Sequence, residues 1–155
     1  RFESMNRETA LTILKNAEWA TLSVITSEDE PYGVPISFVL EGQEIFLHGK
    51  QAGKKIAALN NNSTVCLSVV GENRLESEQF TTRYTSVIVY GEAEVVQSPA
   101  EKRRALSLLA QKYSPDYSRD AQLLIERAIE KTAVIKIKIT EITGKSNIEE
   151  ENADA

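Results

Sequence analysis

Soft metal ligands are nearly absent from this chain, which has one cysteine, Cys66, and one histidine, His48, in 155 residues. A lone thiol excludes an internal disulfide, and the pair falls short of the donor set of a structural zinc site. No apolar run approaches the roughly 20 residues that cross a bilayer as a helix, and the N-terminal stretch lacks the basic, apolar, small-residue order of a secretory leader. A soluble, cytoplasmic protein without a membrane partner is the expectation. Positive charge is scarce too, since 18 Lys and Arg stand against 23 Asp and Glu for a net −5. No global field attracts a polyanion, so nucleic acid is not an expected partner and any phosphate must meet a local basic cluster. There is no internal repeat, no Gly-x-Ser-x-Gly nucleophile elbow and no Walker loop. What is present is ordinary: 41% hydrophobic and 26% charged residues suit a single globular domain.

Hydrophobic periodicity predicts a helix over residues 6–17, followed by alternation of Ala20, Leu22 and Val24 in a first strand. A polar turn ending in Pro31 leads to a second strand through Val34, Ile36, Phe38 and Leu40. Glu44 to His48 reads as a third strand, Lys54 to Leu59 as a short helix, and Val65, Leu67 and Val69 as a fourth strand. Residues 71–82 show no period and read as a loop before a long fifth strand from Val87 to Val96. Ser98, Pro99 and Glu101 form a capping-box start for a helix that buries Leu106, Leu109, Ala110 and Tyr113. A second helix carries Ala121, Leu124, Ile125, Ala128 and Ile129 on one face, before a sixth strand with Ile135, Ile137 and Ile139. The domain is expected to span residues 1–145, and the acidic stretch 146–155 to be a flexible tail. Six strands with short antiparallel connections and late helices do not make a doubly wound fold. They predict a mainly β (α+β) chain, a six-stranded antiparallel barrel with peripheral helices.

The most informative local feature is the run from His48 to Lys55, where Lys50, Lys54 and Lys55 surround Gly49 and Gly53 between a strand end and a helix start. Glycines let a backbone approach an anion, a helix N-terminus offers free N–H groups, and lysines add charge. The turn can therefore hold a phosphate; a merely solvated lysine-glycine turn is the alternative, and spacing does not separate them. Cys66 sits in an apolar strand, which disfavours a nucleophilic role. Glu92 and Glu94 share a strand face and read as solvated, and the hydroxyl-rich run around Arg83 suits turn capping or anion contact equally.

Taken in order, Trp19 to Ile25, Tyr32-Gly-Val-Pro-Ile-Ser-Phe-Val-Leu40, Phe46-Leu-His-Gly49, Gly53-Lys-Lys, Asn61-Asn-Ser-Thr-Val65 and Thr82 to Glu94 resemble the pyridoxamine 5'-phosphate oxidase-like flavin-binding split barrels, most of all their 5-nitroimidazole-resistance branch. The similarity continues through Pro99 to Leu106 and on to Ile142-Thr-Gly-Lys145. It implies a homodimer of split barrels with FMN in clefts between the subunits. By position, Val34, Pro35, Ile36 and Ser37 would line the isoalloxazine and ribityl chain, with Leu47 and His48 beside them. Lys54 falls at the family's phosphate lysine, Lys55 would assist, and Ser86 of the other subunit matches a flavin-contacting position.

Three departures bear on activity. Gly53 stands where the true oxidases carry an arginine and Ala52 where they carry a serine, and the chain ends in acids rather than in their substrate-gripping Trp and Arg segment. Vitamin B6 oxidation is thereby disfavoured, while the retained Lys54 keeps FMN binding as the expectation. The leading expectation is an FMN-dependent oxidoreductase, fed by a reduced nicotinamide and acting on a nitro-aromatic acceptor, with His48 as the catalytic candidate. The alternative is a non-catalytic flavin- or haem-binding module, and a third reading is a dimer whose cleft has lost its cofactor.

Overall fold

The computed structural model describes residues 1–149. Its elements in chain order are β1 (Glu3–Ser4), α1 (Arg7–Asn16), β2 (Ala20–Ile25), β3 (Pro31–Ile36), β4 (Val39–Glu41), β5 (Glu44–Lys50), α2 (Lys54–Asn61), β6 (Thr64–Glu76), β7 (Thr81–Val95), α3 (Pro99–Tyr113), α4 (Ser118–Ala128) and β8 (Thr132–Ser146). Single 3-10 turns occupy Ser77–Gln79 and Pro115–Tyr117. Among the described residues no helix is long and apolar enough to cross a membrane.

All pairings are antiparallel, and the sheet runs β3-β2-β6-β7-β8-β5-β4, with β1 added on β8. Laid flat, the seven strands of that path would hold β3 and β4 six spacings apart, about 29 Å at ~4.8 Å each. Yet Ile36 ends β3 and Val39 starts β4, and the three peptide steps between them reach at most about 11 Å. Ser37 and Phe38 therefore form a seam that curls the sheet into a barrel.

Inward-facing residues alternate as a period of two requires. Leu22 and Val24 of β2, Ile45 and Leu47 of β5, Leu67 and Val69 of β6, Val87 and Val89 of β7, and Ile135 and Ile137 of β8 fill the interior with Phe38. A second cluster lies outside the barrel, where Val39, Phe46, Val96 and Val134 pack under Ala105, Leu106 and Leu109 of α3 and Ile125 of α4. β5 and β8 are thus covered on both faces, which explains why Ile45-Phe46-Leu47 and Ala133-Val134-Ile135 are buried without alternation.

Helix starts follow their caps. The Asn6 side chain accepts a hydrogen bond from the Thr9 amide, and the Ser98 hydroxyl accepts one from the Glu101 amide at 3.3 Å with Pro99 in the first turn. The expected capping box is only half made, because the Glu101 carboxylate turns instead to Lys136 at 2.7 Å. Lys136 also meets Glu94 and Glu44, at 3.1 and 3.7 Å, which fastens α3, β7 and β5 to β8 and holds the ammonium pKa above its ordinary value.

Three expectations are corrected. The second strand is split by the seam into β3 and β4, and with β1 the count among the described residues rises from six to eight. The supposed loop over 71–82 is a hairpin arm, since β6 runs to Glu76 and β7 begins at Thr81. Its period was invisible because most of the β6 half of that arm is solvated on both faces. Leu124 of α4 is 62% exposed rather than buried, while Ile125 makes the expected contact. Ser146 ends β8, and Asn147 is buried, its side chain accepting from the Tyr84 amide at 2.7 Å and donating to the Thr82 carbonyl at 3.0 Å. Residues 150–155 of the expected tail lie outside the described residues.

At the irregularity in β7, a methyl group on Gly91 would come within 2.6 Å of both the Ile137 side chain and the Lys138 carbonyl oxygen. Glycine is required there to let β7 close on β8. The substitution Gly91→Ala should cost about 1–3 kcal/mol in urea unfolding, as overpacked cores do; unchanged stability would contradict this close approach.

Candidate functional site

The turn between β5 and α2 carries the chemistry. Gly53 sits at φ 141°, a conformation that favours glycine, and it caps α2 without any side-chain hydrogen bond. The first turn of α2 holds no acidic residue. Only from Ala57, whose amide donates to the Gly53 carbonyl at 3.0 Å, do helical bonds begin, so the amides of Lys54, Lys55 and Ile56 have no helical partner. A positive dipole end and amides without helical partners meet a first turn that carries two lysines and no carboxylate.

The two lysines point to different neighbours. The exposed Lys54 places Nζ 4.6 Å from the centroid of the Tyr32 ring, which ties α2 to β3. Lys55 folds back over β5, its Nζ 3.3 Å from where a side chain on Gly49 would begin. Partial burial lowers the Lys55 pKa. His48, on β5, keeps an exposed side chain, and desolvation of its inner surroundings followed by the nearby Lys55 charge lowers its pKa from the ordinary imidazole value. A neutral imidazole near neutrality is the consequence. Gln51 anchors this turn by donating to the Glu130 carbonyl.

The other candidate residues divide by the pleat of β3. Pro35 and Ser37 are exposed, Val34 is half-buried against the barrel core, and Ile36 is buried in it. Leu47 is fully buried among core residues, so its side chain belongs to the barrel interior. Around α2 the fold brings together β3, through Tyr32 and Lys54, and the end of β5, through Gly49 and Lys55. Ser86 stands elsewhere, across from Val70 and Lys145 on β7, in a groove of about 250 Å³ with Ser4, Ile88 and Thr143. Lys54 lines a different groove of about 210 Å³ with Thr26, Glu28 and Glu30.

Several neighbouring residues acquire definite roles. Arg83 is occupied internally, donating to Glu76 at 2.8 Å, to the Asn147 carbonyl at 2.9 Å and to Gln79 at 3.4 Å. Cys66 is half-buried, and desolvation raises its thiol pKa, which keeps it protonated. Among the described residues no group of three His, Cys, Asp or Glu could hold a metal ion. Sequence reasoning missed Tyr32 as the partner of Lys54, although it shares a β3 face with Val34. It also missed exposed apolar residues at two separate places: Phe80 at the tip of the β6–β7 arm is 97% exposed, and Trp19 and Val70 line a groove of about 440 Å³ with Ile13.

Comparison with known proteins agrees with this architecture. The chain resembles a proposed 5-nitroimidazole antibiotic resistance protein from Bacteroides thetaiotaomicron, with 25% identity and a TM-score of 0.79 over 94% of this chain and 87% of that one. A flavocytochrome from Azotobacter vinelandii shares the fold at 24% identity and a TM-score of 0.79, covering 96% of this chain and 72% of the other. A FAD and heme binding protein from Mycobacterium smegmatis does so at 22% identity and a TM-score of 0.80, covering 99% and 77%. No curated protein matches in sequence. The family model described as pyridoxamine 5'-phosphate oxidase matches residues 6–146, nearly the whole described barrel. The chain belongs to the pyridoxamine 5'-phosphate oxidase family.

Proposed function

We propose that this protein binds FMN and acts as a flavin-dependent oxidoreductase. The observation that carries the reading is the start of α2, an uncapped helix end without an acidic first turn, flanked by Lys54 and Lys55. Such a donor set suits a terminal phosphate, the feature that distinguishes FMN from its unphosphorylated parent. Lys54 would meet the phosphate from the β3 side and Lys55 from the β5 side. Pro35 and Ser37 offer exposed edges on which an isoalloxazine ring can lie, and Val34 and Ile36 contribute backbone. A bound flavin supplies hydride or electron transfer, for which a reduced nicotinamide is the proposed donor and a nitro-aromatic compound the proposed acceptor. The chain's own contribution is to bind, orient and exclude water, with His48 as the group within reach to hold or release a proton. Ser86 would be supplied by a second copy of the chain. The exposed Trp19 and Val70, which line one groove with Ile13, support such a homodimer, because contiguous apolar surface marks interaction sites. A cytoplasmic setting suits a protein whose lone thiol has no internal partner.

A second reading, a flavin- or haem-binding module without turnover, is favoured by one observation. Proton-transferring groups at the turn are few, and His48 is the sole histidine of the chain. Nicotinamide oxidation by the flavin-loaded protein separates the two.

FMN titration followed by flavin fluorescence should give equimolar binding to the chain, and Lys54→Ala should weaken it about tenfold, the loss of one charge-assisted contact. Failure of the wild-type protein to bind FMN would overturn the reading, and an unchanged affinity in Lys54→Ala would remove Lys54 from the phosphate site. A further expectation concerns pH. Because burial and the nearby Lys55 charge lower the His48 pKa, its charge appears at lower pH than for an ordinary imidazole, where it adds attraction for an anion beside Lys55. Relative to His48→Gln, which controls for titration of the FMN phosphate itself, the wild-type protein should gain FMN affinity on acidification. Parallel pH profiles would place His48 away from the ligand.

A further inference from the structure

The C-terminal end of α3 reaches back to the seam of the barrel. Lys112 Nζ donates to the Ala17 carbonyl at 2.7 Å and to the Phe38 carbonyl at 2.8 Å, and it lies 4.0 Å from the centroid of the Phe38 ring. The Tyr113 hydroxyl accepts from the Phe38 amide at 3.0 Å. Its single proton serves the Glu18 carbonyl, 2.6 Å away, or the Phe38 carbonyl at 2.9 Å. Phe38 lies between the ladders of β3 and β4, so α3 supplies the partners that a strand neighbour would otherwise provide. The ring of Phe38 is fully buried in the barrel.

A simple helix cap does not account for this arrangement. A lysine near a helix C-terminus ordinarily turns to its own last carbonyls, whereas the Lys112 ammonium bridges two other segments, the approach to β2 and the seam. It does so half-buried, where desolvation lowers its pKa against the opposing pull of Glu18. An apolar side chain would fill the space without that cost, so the directed bonds are what the position supplies.

We propose that Lys112 and Tyr113 are positioning residues for the flavin site: by fixing Phe38 they set the seam from which Pro35 and Ser37 present their exposed edges. The inference rests on the flavin reading above. Neither residue needs to touch the ligand. Binding should feel them because residues displaced from a preorganised geometry must be reordered when the ligand arrives.

The test uses the full chain with Lys112→Met, Tyr113→Phe and Lys112→Arg, measuring FMN affinity and amide hydrogen exchange at Phe38 and at the core residue Leu67. Lys112→Met and Tyr113→Phe should each weaken FMN binding about tenfold and speed exchange at Phe38 by a similar factor, leaving Leu67 unchanged. Lys112→Arg, which keeps donors for both carbonyls, should restore most of the affinity. Wild-type binding with equal affinity in all variants would overturn the inference while leaving the flavin reading intact. Weaker binding with equal acceleration at Leu67 would mark general destabilisation and would also overturn it. No FMN binding by the wild-type protein would remove the flavin reading and this inference together.

Discussion

Two residues, Ser37 and Phe38, join the opposite edges of a seven-strand path, and that short connection dictates the shape of the molecule. Because the link is far shorter than the flat sheet is wide, the strands must curl, and the inner faces of β2, β5, β6, β7 and β8 must share one core. The twist and closure that follow bring Tyr32 near the start of β3 and Gly49 near the end of β5 beside the start of α2. The candidate site is thus a product of barrel closure, and its parts are far apart in the chain only on paper.

Closure also explains the placement of charge. Burial on both faces of β5 and β8 leaves little room for polar groups, and Lys136 of β8, opposite Phe46 and Glu94, is held among Glu44, Glu94 and Glu101. Lys112 enters a similar half-buried setting and directs its protons to backbone oxygens. Lys54 differs: it is exposed and engages an aromatic face, leaving its ammonium accessible to an incoming anion. The chain thereby separates cations that fasten the fold from cations that are free to meet a ligand, despite a net charge of −5.

Much of this was legible in the sequence, for physical reasons that also mark where legibility ended. Ala20, Leu22 and Val24, or Val87 and Val89, alternate because one face is buried and the other is not, and their strands were read correctly. Ser98 and Pro99 announced α3, and the glycines and lysines after His48 announced an anion-suited helix start. The β6–β7 arm escaped detection because most of its β6 half is exposed on both faces and shows no apolar period. The reach of Lys112 to Phe38 and the stacking of Lys54 on Tyr32 join residues remote in sequence, and local pattern contains no trace of them. Family resemblance supplied the candidate lining of β3, and the structure sorts it into exposed Pro35 and Ser37 and buried Ile36.

The central claim is that the start of α2 is a phosphate site serving a flavin ring laid against the seam. Comparing the affinities of FMN and riboflavin for the wild-type protein tests it most directly, since the two differ by the phosphate alone. The account predicts that FMN binds on the order of 100-fold more tightly, the worth of two or so charge-assisted contacts. Equal affinities would contradict it and would place any flavin elsewhere on the barrel.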